Sequence, residues 1–134
     1  KKKILMVGHL MQYHNGFQKL KKFVQQGNLG DLKFIYSTRL NLGKLRKEEN
    51  ILWSFAPHDI SMILSLINDV PKKTYTKPCV FINKNIPDVT TTHMEFSKNI
   101  HAQIFVSWLH PYKEQKLIVI GNKGMIVLDD QKKK

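Results

Sequence analysis

The segment VTTTHMEFSKNIHAQIFVSWL, residues 89–109, decides the fold class of this chain. It contains two runs rich in β-branched and aromatic residues, separated by the turn-forming pair Lys98 and Asn99. Two such runs joined by a compact break are typical of antiparallel strands in a hairpin. Similar β-rich runs extend the pattern on both sides, at 74–81, 116–120 and 125–128.

The residues before Pro71 have a different pattern, in which strands and helices alternate. Residues 4–7, ILMV, form an apolar run typical of a short buried strand. A helix is predicted to follow, with Asn15 as its cap and Gly27 at its end. Strict alternation of side chains over 31–41 predicts a half-buried strand.

A second helix is predicted over 57–68, because Pro57 suits a first helical position and an apolar stripe follows it. The polar residues 42–52 are interpreted as the loop that leads to this helix. These elements predict a single α+β domain over 1–134, with a mostly antiparallel open sheet and helices packed on one face. The other sheet face then requires a cover, either water or another protein chain.

The charge of the chain is strongly basic, with 22 Lys and Arg against 10 Asp and Glu, which gives +12. Clustered basic residues suggest nucleic-acid binding. Six of these charges, however, are lysines at the two ends, at 1–3 and 132–134. Most of the others lie on the polar side of a predicted helix, where a solvated face is the commoner explanation. Nucleic-acid binding is therefore a minority hypothesis.

Several other classes of protein are disfavoured by the composition. One cysteine, Cys79, excludes an internal disulfide framework and a cysteine-rich zinc site. The six histidines show no recognisable metal-ligand spacing, so no metal site is predicted. No apolar run is long enough for a membrane span, and we expect a cytoplasmic protein. The seven glycines form no G-x-G-x-x-G turn, so we expect no cofactor binding by this chain alone.

The segment WSFAPHDI, residues 53–60, carries the strongest candidate for chemistry. It places His58 and Asp59 in the first turn of the predicted helix, where the helix dipole disfavours a protonated imidazole. A neutral histidine there suits general acid and base catalysis, whereas Asp59 is interpreted as complementing the dipole. A histidine that satisfies a local hydrogen bond is the alternative, and for this residue pair alone it is the commoner situation.

A second group of residues suggests an anion site. Arg39 and Asn41 share a predicted strand face, and Arg46 follows in the loop. Guanidinium groups bind phosphate or carboxylate in a forked geometry, although a solvated strand edge paired with Glu48 or Glu49 explains the pattern equally well. The turn at 107–116 adds Lys113 and aromatic residues that suit a sugar or nucleotide contact, or that close a sheet corner.

Four segments in order give the chain a family resemblance: VGHLMQYH, GNLGDLKFIYSTRLNLGK, ENILWSFAPHDI and IFVSWLHPYKEQKLIVIG followed by KGMIVLDD. They resemble the C-terminal, substrate-side domain of the glucose-fructose oxidoreductase / inositol dehydrogenase family. Within it, the similarity is greatest to the branch that acts on UDP-N-acetyl-hexosamines and related sugar nucleotides. In that family an N-terminal Rossmann domain binds NAD(P) and supplies a catalytic lysine, and the resembled domain supplies a catalytic histidine.

The resemblance assigns roles to individual residues. The family's Asp-x-x-x-His motif falls on Ser54 to His58, so the catalytic histidine is matched and the aspartate is not. Tyr13 retains an aromatic side chain where substrate is expected, while Gln12 replaces a commonly seen arginine. The resemblance therefore implies His58 as the catalytic residue and places Tyr13 near the substrate. With the residues singled out above, the predicted substrate-binding set is the following: Tyr13, Arg39, Asn41, Arg46, Trp53 and Lys113.

The expected function is that of half an enzyme. The parent is predicted to be an NAD(P)-dependent oxidoreductase of a sugar or sugar nucleotide, and this chain, without the Rossmann domain, is expected to be inactive alone. The chain is then either a fragment of a longer protein or the product of a split gene. The alternative is a non-catalytic binding module that forms homo-oligomers through its exposed sheet face.

Overall fold

A computed structural model describes residues 3–43, 45–82 and 84–131. The strands are β1 (Leu32–Leu40), β2 (Lys73–Cys79), β3 (Val89–Glu95), β4 (His101–Ser107), β5 (Glu114–Gly121) and β6 (Met125–Asp129). They form one six-stranded sheet in the order β2-β3-β4-β1-β5-β6. The central pair β1 and β4 is parallel, and all other neighbours are antiparallel. The predicted mostly antiparallel open sheet is therefore confirmed.

Two helices cover one face of this sheet, as predicted. They are α1 (Asn15–Gln25) and α2 (Ile51–Ile67), and short 3-10 turns occupy Leu10–Tyr13 and Ser97–Asn99. Phe17 of α1 and Ile63 of α2 are fully buried in one core with Ile35, Ile104 and Val119 of the sheet. Burial of these apolar side chains is the main favourable term that holds the helices on the sheet.

Strand β1 alternates as predicted, but the side that the helices cover is the more polar one. Ile35, Ser37 and Arg39 are buried, whereas Tyr36 is 42% exposed. Ser37 and Arg39 are tolerated under the helices because both bind the carboxylate of Asp59. The aromatic side of β1 therefore belongs to the open face of the sheet.

The predicted strand at residues 4–7 is wrong. These residues belong to none of the six strands, and Ile4 and Leu5 are 100% and 94% exposed. Because their apolar side chains are not buried, burial supplies no free energy to hold this segment as a strand of the sheet. Asn15 is likewise the first residue of α1 rather than its cap, which is His14.

The second helix begins six residues earlier than predicted. The side chain of Asn50 caps α2 by accepting a hydrogen bond of 3.1 Å from the amide of Trp53. Pro57 therefore lies inside the helix rather than at its start. Proline is common at a first helical position, which makes this residue a misleading signal for the helix start. Within the described ranges, no helix has the length and hydropathy needed to cross a membrane.

Candidate functional site

His58 is the centre of the candidate site, and its position on α2 differs from the prediction. Because α2 starts at Ile51, His58 lies about two turns into the helix. The free amides of the first helical turn are therefore too far from its ring to interact with it. The pKa of His58 is nevertheless below its usual value of 6.5, chiefly because burial disfavours the charged form and also because Arg39 is close. Asp59 partly opposes this shift. A neutral imidazole was therefore correctly predicted, but the helix-terminus reason was wrong.

Three buried polar atoms on α2 lack a hydrogen-bond partner among the described residues, namely Oγ of Ser54, Nδ1 of His58 and Oγ of Ser65. The first two belong to the family motif that falls on Ser54 to His58. The two residues are four positions apart, so they are neighbours on one helix face. Buried polar atoms without a partner are rare in folded proteins, and strain, a catalytic role or bound water can account for them. The pair therefore leaves two polar groups without partners on the helix face that carries the candidate base.

A buried ion pair lies on the sheet side of the same helix. Nε of Arg39 donates to Oδ2 of Asp59 at 2.8 Å, and the hydroxyl of Ser37 donates to Oδ1 at 2.6 Å. The Gln115 carboxamide oxygen accepts from Nη1 of Arg39 at 3.2 Å. Arg39 is only 8% exposed. Asp59 thus neutralises a buried guanidinium, and its predicted role at a helix terminus is wrong.

An apolar cleft of about 400 Å³ runs along the exposed side of α2. Its walls come from the helix and from the N-terminal segment: His9, Leu52, Trp53, Pro57, Ile60, Ser61 and Leu64. The ring of His9 lies perpendicular to that of His58, with 6.4 Å between their centroids. Cleft and histidine therefore share one region of the molecule.

The N-terminal contribution to this region was missed by sequence reasoning. His9 matches the family pattern in the segment VGHLMQYH but received no role in the site from the sequence, yet its ring packs beside His58. The side chain of Gln12 donates to Oγ of Ser61 at 3.3 Å, and Ser61 in turn donates to the carbonyl of His58 at 2.8 Å. The Gly8-His9 start of the family pattern was the available signal.

The predicted substrate-binding residues occupy two places. Asn41 directly follows β1, and Lys113 directly precedes β5. Because Leu40 of β1 pairs with Glu114 of β5, both residues lie at the same end of this strand pair. Trp53, 71% exposed, lies in the first turn of α2 and lines the cleft. Trp53 is thus brought close to the candidate site, whereas Asn41 and Lys113 are grouped with each other.

Two further candidates stand apart from His58. Arg46 is exposed and forms an ion pair with Glu49, which is the structural alternative considered for this residue. Tyr13 is 69% exposed at the end of a 3-10 turn. No hydrogen bond or ion pair between described residues joins either of them to His58. Their predicted substrate contacts remain predictions.

The glycines of the described ranges do not form a phosphate cradle. Gly27 and Gly30 adopt positive φ angles of 75° and 67° in the turn between α1 and β1. A Cβ on Gly30 would lie 2.0 Å from Oδ1 of Asn122, so this glycine allows two loops to pack. A dinucleotide site instead requires glycines between a strand and the start of a helix. The glycines of the described residues therefore do not form the backbone turn on which a dinucleotide pyrophosphate binds.

The fold defines a class of α+β domains in which two helices cover one face of an open six-stranded sheet. The model of the GFO/IDH/MocA C-terminal domain matches residues 17–127, and the chain belongs to this family. This match confirms the predicted family. The narrower assignment to the branch that acts on sugar nucleotides stays a prediction. No curated protein matches the chain significantly.

Solved structures share the fold. A probable dehydrogenase from Thermotoga maritima superposes with a TM-score of 0.86 at 20% identity, over 98% of this chain and 43% of its own. Myo-inositol dehydrogenase from Lactobacillus casei, in complex with NAD(H) and myo-inositol, gives 0.85 at 21%, over 99% and 41%. A putative oxidoreductase from Magnetospirillum magnetotacticum gives 0.81 at 25%, over 92% and 40%. This chain thus spans about two fifths of each of these proteins.

Proposed function

We propose that the chain is the substrate-side domain of an NAD(P)-dependent oxidoreductase that acts on a sugar or a sugar nucleotide. The observation that supports this most is the half-buried His58, with its lowered pKa and an Nδ1 that lacks a partner among the described residues, beside an open cleft. Perturbed histidines in clefts are candidate acid-base groups. The NAD(H)-bound dehydrogenase among the similar structures agrees with this reaction class.

In this proposal His58 handles the proton of the reaction. Oxidation of a sugar hydroxyl to a carbonyl requires the loss of the O–H proton, and a neutral imidazole within hydrogen-bond reach accepts it. The lowered pKa keeps His58 unprotonated near neutral pH and therefore able to act as the base. NAD(P), which accepts the hydride in the resembled family, belongs to a separate dinucleotide domain. This chain supplies the proton acceptor and the substrate contacts.

Two regions are assigned to the substrate. Trp53 presents an exposed indole at the cleft, and aromatic faces suit the apolar side of a sugar ring. Where β1 ends and β5 begins, Asn41 and Lys113 offer an amide and a cation, which suits a hydroxyl-rich or phosphorylated substrate. Together with the sequence resemblance, this favours a sugar nucleotide, such as a UDP-N-acetyl-hexosamine.

The test replaces His58 in the complete enzyme with its dinucleotide domain. His58→Asn is expected to lower turnover by roughly 10²–10⁴-fold, the usual contribution of a general base, while substrate and cofactor still bind. Steady-state assays with UDP-N-acetyl-hexosamines and with inositols measure both turnover and KM. His110→Asn is the matched control, because His110 bonds within its own loop to the carbonyl of Tyr112.

Turnover near the wild-type level in His58→Asn would contradict the proposal and make this histidine structural. Ser54→Asp is the companion variant, because it restores the acid of the family motif one turn before His58. A carboxylate there favours the imidazolium form, so the pH dependence of turnover is expected to move to higher pH. A pH profile of turnover that Ser54→Asp leaves unchanged would show that residue 54 does not influence the protonation of the catalytic base.

A second function, a non-catalytic assembly module, is favoured by the open sheet face. Side chains on that face include aromatic and aliphatic residues: Phe34, Tyr36, Phe105, Ile118, Met125 and Val127. Contiguous exposed apolar side chains mark protein interaction surfaces. Oligomerisation is compatible with the enzymatic proposal. If the complete protein shows no oxidoreductase activity, assembly through this face remains as its main function.

A further inference from the structure

Three side chains with metal-binding atoms meet on the open sheet face, on the side of the sheet away from α2. His93 and Glu95 are two positions apart in β3 and so point to the same face, and His101 of β4 is the cross-strand partner of Glu95. One ligand atom from each of the three lies within 4.8 Å of the others, and all three residues are half-buried.

The spacing of the two imidazoles suits a single ion. Nε2 of His93 and Nδ1 of His101 are 3.1 Å apart. Zinc binds histidine nitrogen at roughly 2.0–2.1 Å in tetrahedral geometry, which places two nitrogen ligands about 3.3 Å apart. The separation of the two nitrogens therefore needs to widen by only a few tenths of an ångström, with the rings turned so that both lone pairs face one ion. The hydrogen bond that they form with each other is the competing arrangement.

A second contact fixes the orientation of His101. Its Nε2 donates to Oδ1 of Asn99 at 3.1 Å, which leaves the lone pair of a neutral ring on Nδ1, facing His93. Histidine ligands of metals characteristically donate their other N–H to an oxygen in this way. Asn99 has φ of 55° in the tight turn between β3 and β4, so the turn itself delivers this oxygen.

The carboxylate of Glu95 is available as the third ligand. No ion pair between described residues involves Glu95, although Lys73 is its cross-strand neighbour on β2. Two neutral imidazoles and one carboxylate form the His₂Glu ligand set that is typical of zinc. We propose that His93, Glu95 and His101 bind a divalent ion of the zinc class, with water at the fourth position.

The chain sequence does not show this site, and no metal site was predicted from it. The spacing of His93, Glu95 and His101 along the chain matches no familiar zinc motif. The three residues meet only because the β3–β4 hairpin places Glu95 opposite His101. The proposal is independent of the oxidoreductase function, since the site lies on the opposite sheet face from His58.

The test is titration of the purified chain with Zn²⁺ by calorimetry, and with Co²⁺ by absorption spectroscopy. About one ion per chain and a tetrahedral Co²⁺ spectrum are expected. His93→Gln and His101→Gln are each expected to weaken binding by at least about tenfold, and Asn99→Ala by roughly 10–100-fold through loss of the orienting contact. His110→Gln, which changes a histidine in the loop after β4, is the control and leaves binding unchanged.

Folding is checked separately, so that a destabilised variant is not mistaken for a lost ligand. Glu95→Gln preserves the shape of the side chain, and its urea unfolding in EDTA is expected to match the wild type, while its zinc affinity falls. Zinc is expected to raise the unfolding midpoint of the wild-type chain, because it binds the folded state. Absence of saturable zinc binding, or binding that survives in both histidine variants, would overturn the proposal.

Discussion

At the scale of single residues, His58 couples protonation to folding. Its pKa in the folded chain lies below the 6.5 of an exposed histidine, first because of burial and then because of Arg39. The unfolded chain therefore binds the proton more tightly than the folded chain as pH falls below about 6.5. The stabilising contribution is complete above this pH and is lost as pH falls towards the folded pKa.

The expected result is a free energy of unfolding that falls from pH 7 towards pH 5, with a smaller fall in His58→Gln. Urea denaturation across this range measures both slopes, and His110→Gln serves as the control for removal of an unrelated histidine. Identical slopes for the wild type and His58→Gln would show that burial does not hold this imidazole in its neutral form.

Also at the residue scale, Asp59 is predicted to contribute more to stability than to chemistry. Its carboxylate is 2% exposed and binds both Arg39 and Ser37. Asp59→Ala leaves the Arg39 guanidinium buried without its anion, which costs about 3–5 kcal/mol in comparable sites. Urea unfolding is expected to show a loss of this size.

The paired variant separates the ion pair from simple packing. Replacing both partners, Arg39→Met with Asp59→Leu, removes both buried charges and is expected to be less destabilising than Asp59→Ala alone. A double variant as unstable as the sum of the single variants Arg39→Met and Asp59→Leu would argue against the pairing. This comparison is a double-mutant cycle on two residues in direct contact.

At the scale of elements, the start of α2 depends on one side chain. Asn50 accepts the hydrogen bond of Trp53 N–H, and α2 carries both His58 and the wall of the cleft. Asn50→Ala is expected to lower the free energy of unfolding by about 1 kcal/mol. Asn50→Asp, which retains the acceptor, is expected to stay close to the wild type in the same measurement. If Asn50→Ala is as stable as the wild type, tertiary packing rather than the cap determines where α2 starts.

Local signals explain which elements were predictable. The β3–β4 hairpin is encoded within residues 89–109, where β-rich runs flank a short turn, and it was correctly predicted. The start of α2 was misplaced because Pro57 resembles a first-turn proline, while Asn50 lies before a segment without clear periodicity. Existence and type of these elements follow from short-range patterns, whereas the exact start of α2 follows from the Asn50 cap, which the surrounding pattern does not reveal.

The contacts that build the site were less predictable, because they join distant parts of the chain. Arg39 and Asp59 are 20 residues apart, and only the packing of α2 on β1 makes them partners. The identity of the catalytic candidate came from a motif, and its lowered pKa from burial that no local pattern encodes. His9 joins His58 through the N-terminal segment, which sequence patterns assigned to a strand.

At the scale of the whole molecule, the sheet has one covered face and one open face. Buried residues of β1, β4 and β5 face the helices, and the alternate residues form the open side. On that side Tyr36, Met125 and Val127 are 42%, 69% and 53% exposed. Exposure of this much apolar surface in one region is unfavourable in water. We propose that a second copy of the chain covers it.

Charges placed on the open face test whether a second copy covers it. The double variant Tyr36→Asp with Val127→Asp introduces charges that must be desolvated in any sheet-to-sheet contact, so dimers are expected to dissociate. Sedimentation velocity over a wide concentration range measures the change. The matched control is Gln18→Asp with Lys19→Asp on α1, two exposed residues on the opposite side of the sheet. A wild-type chain that stays monomeric at every concentration would contradict the prediction, as would a dimer unaffected by the two charges on the open face.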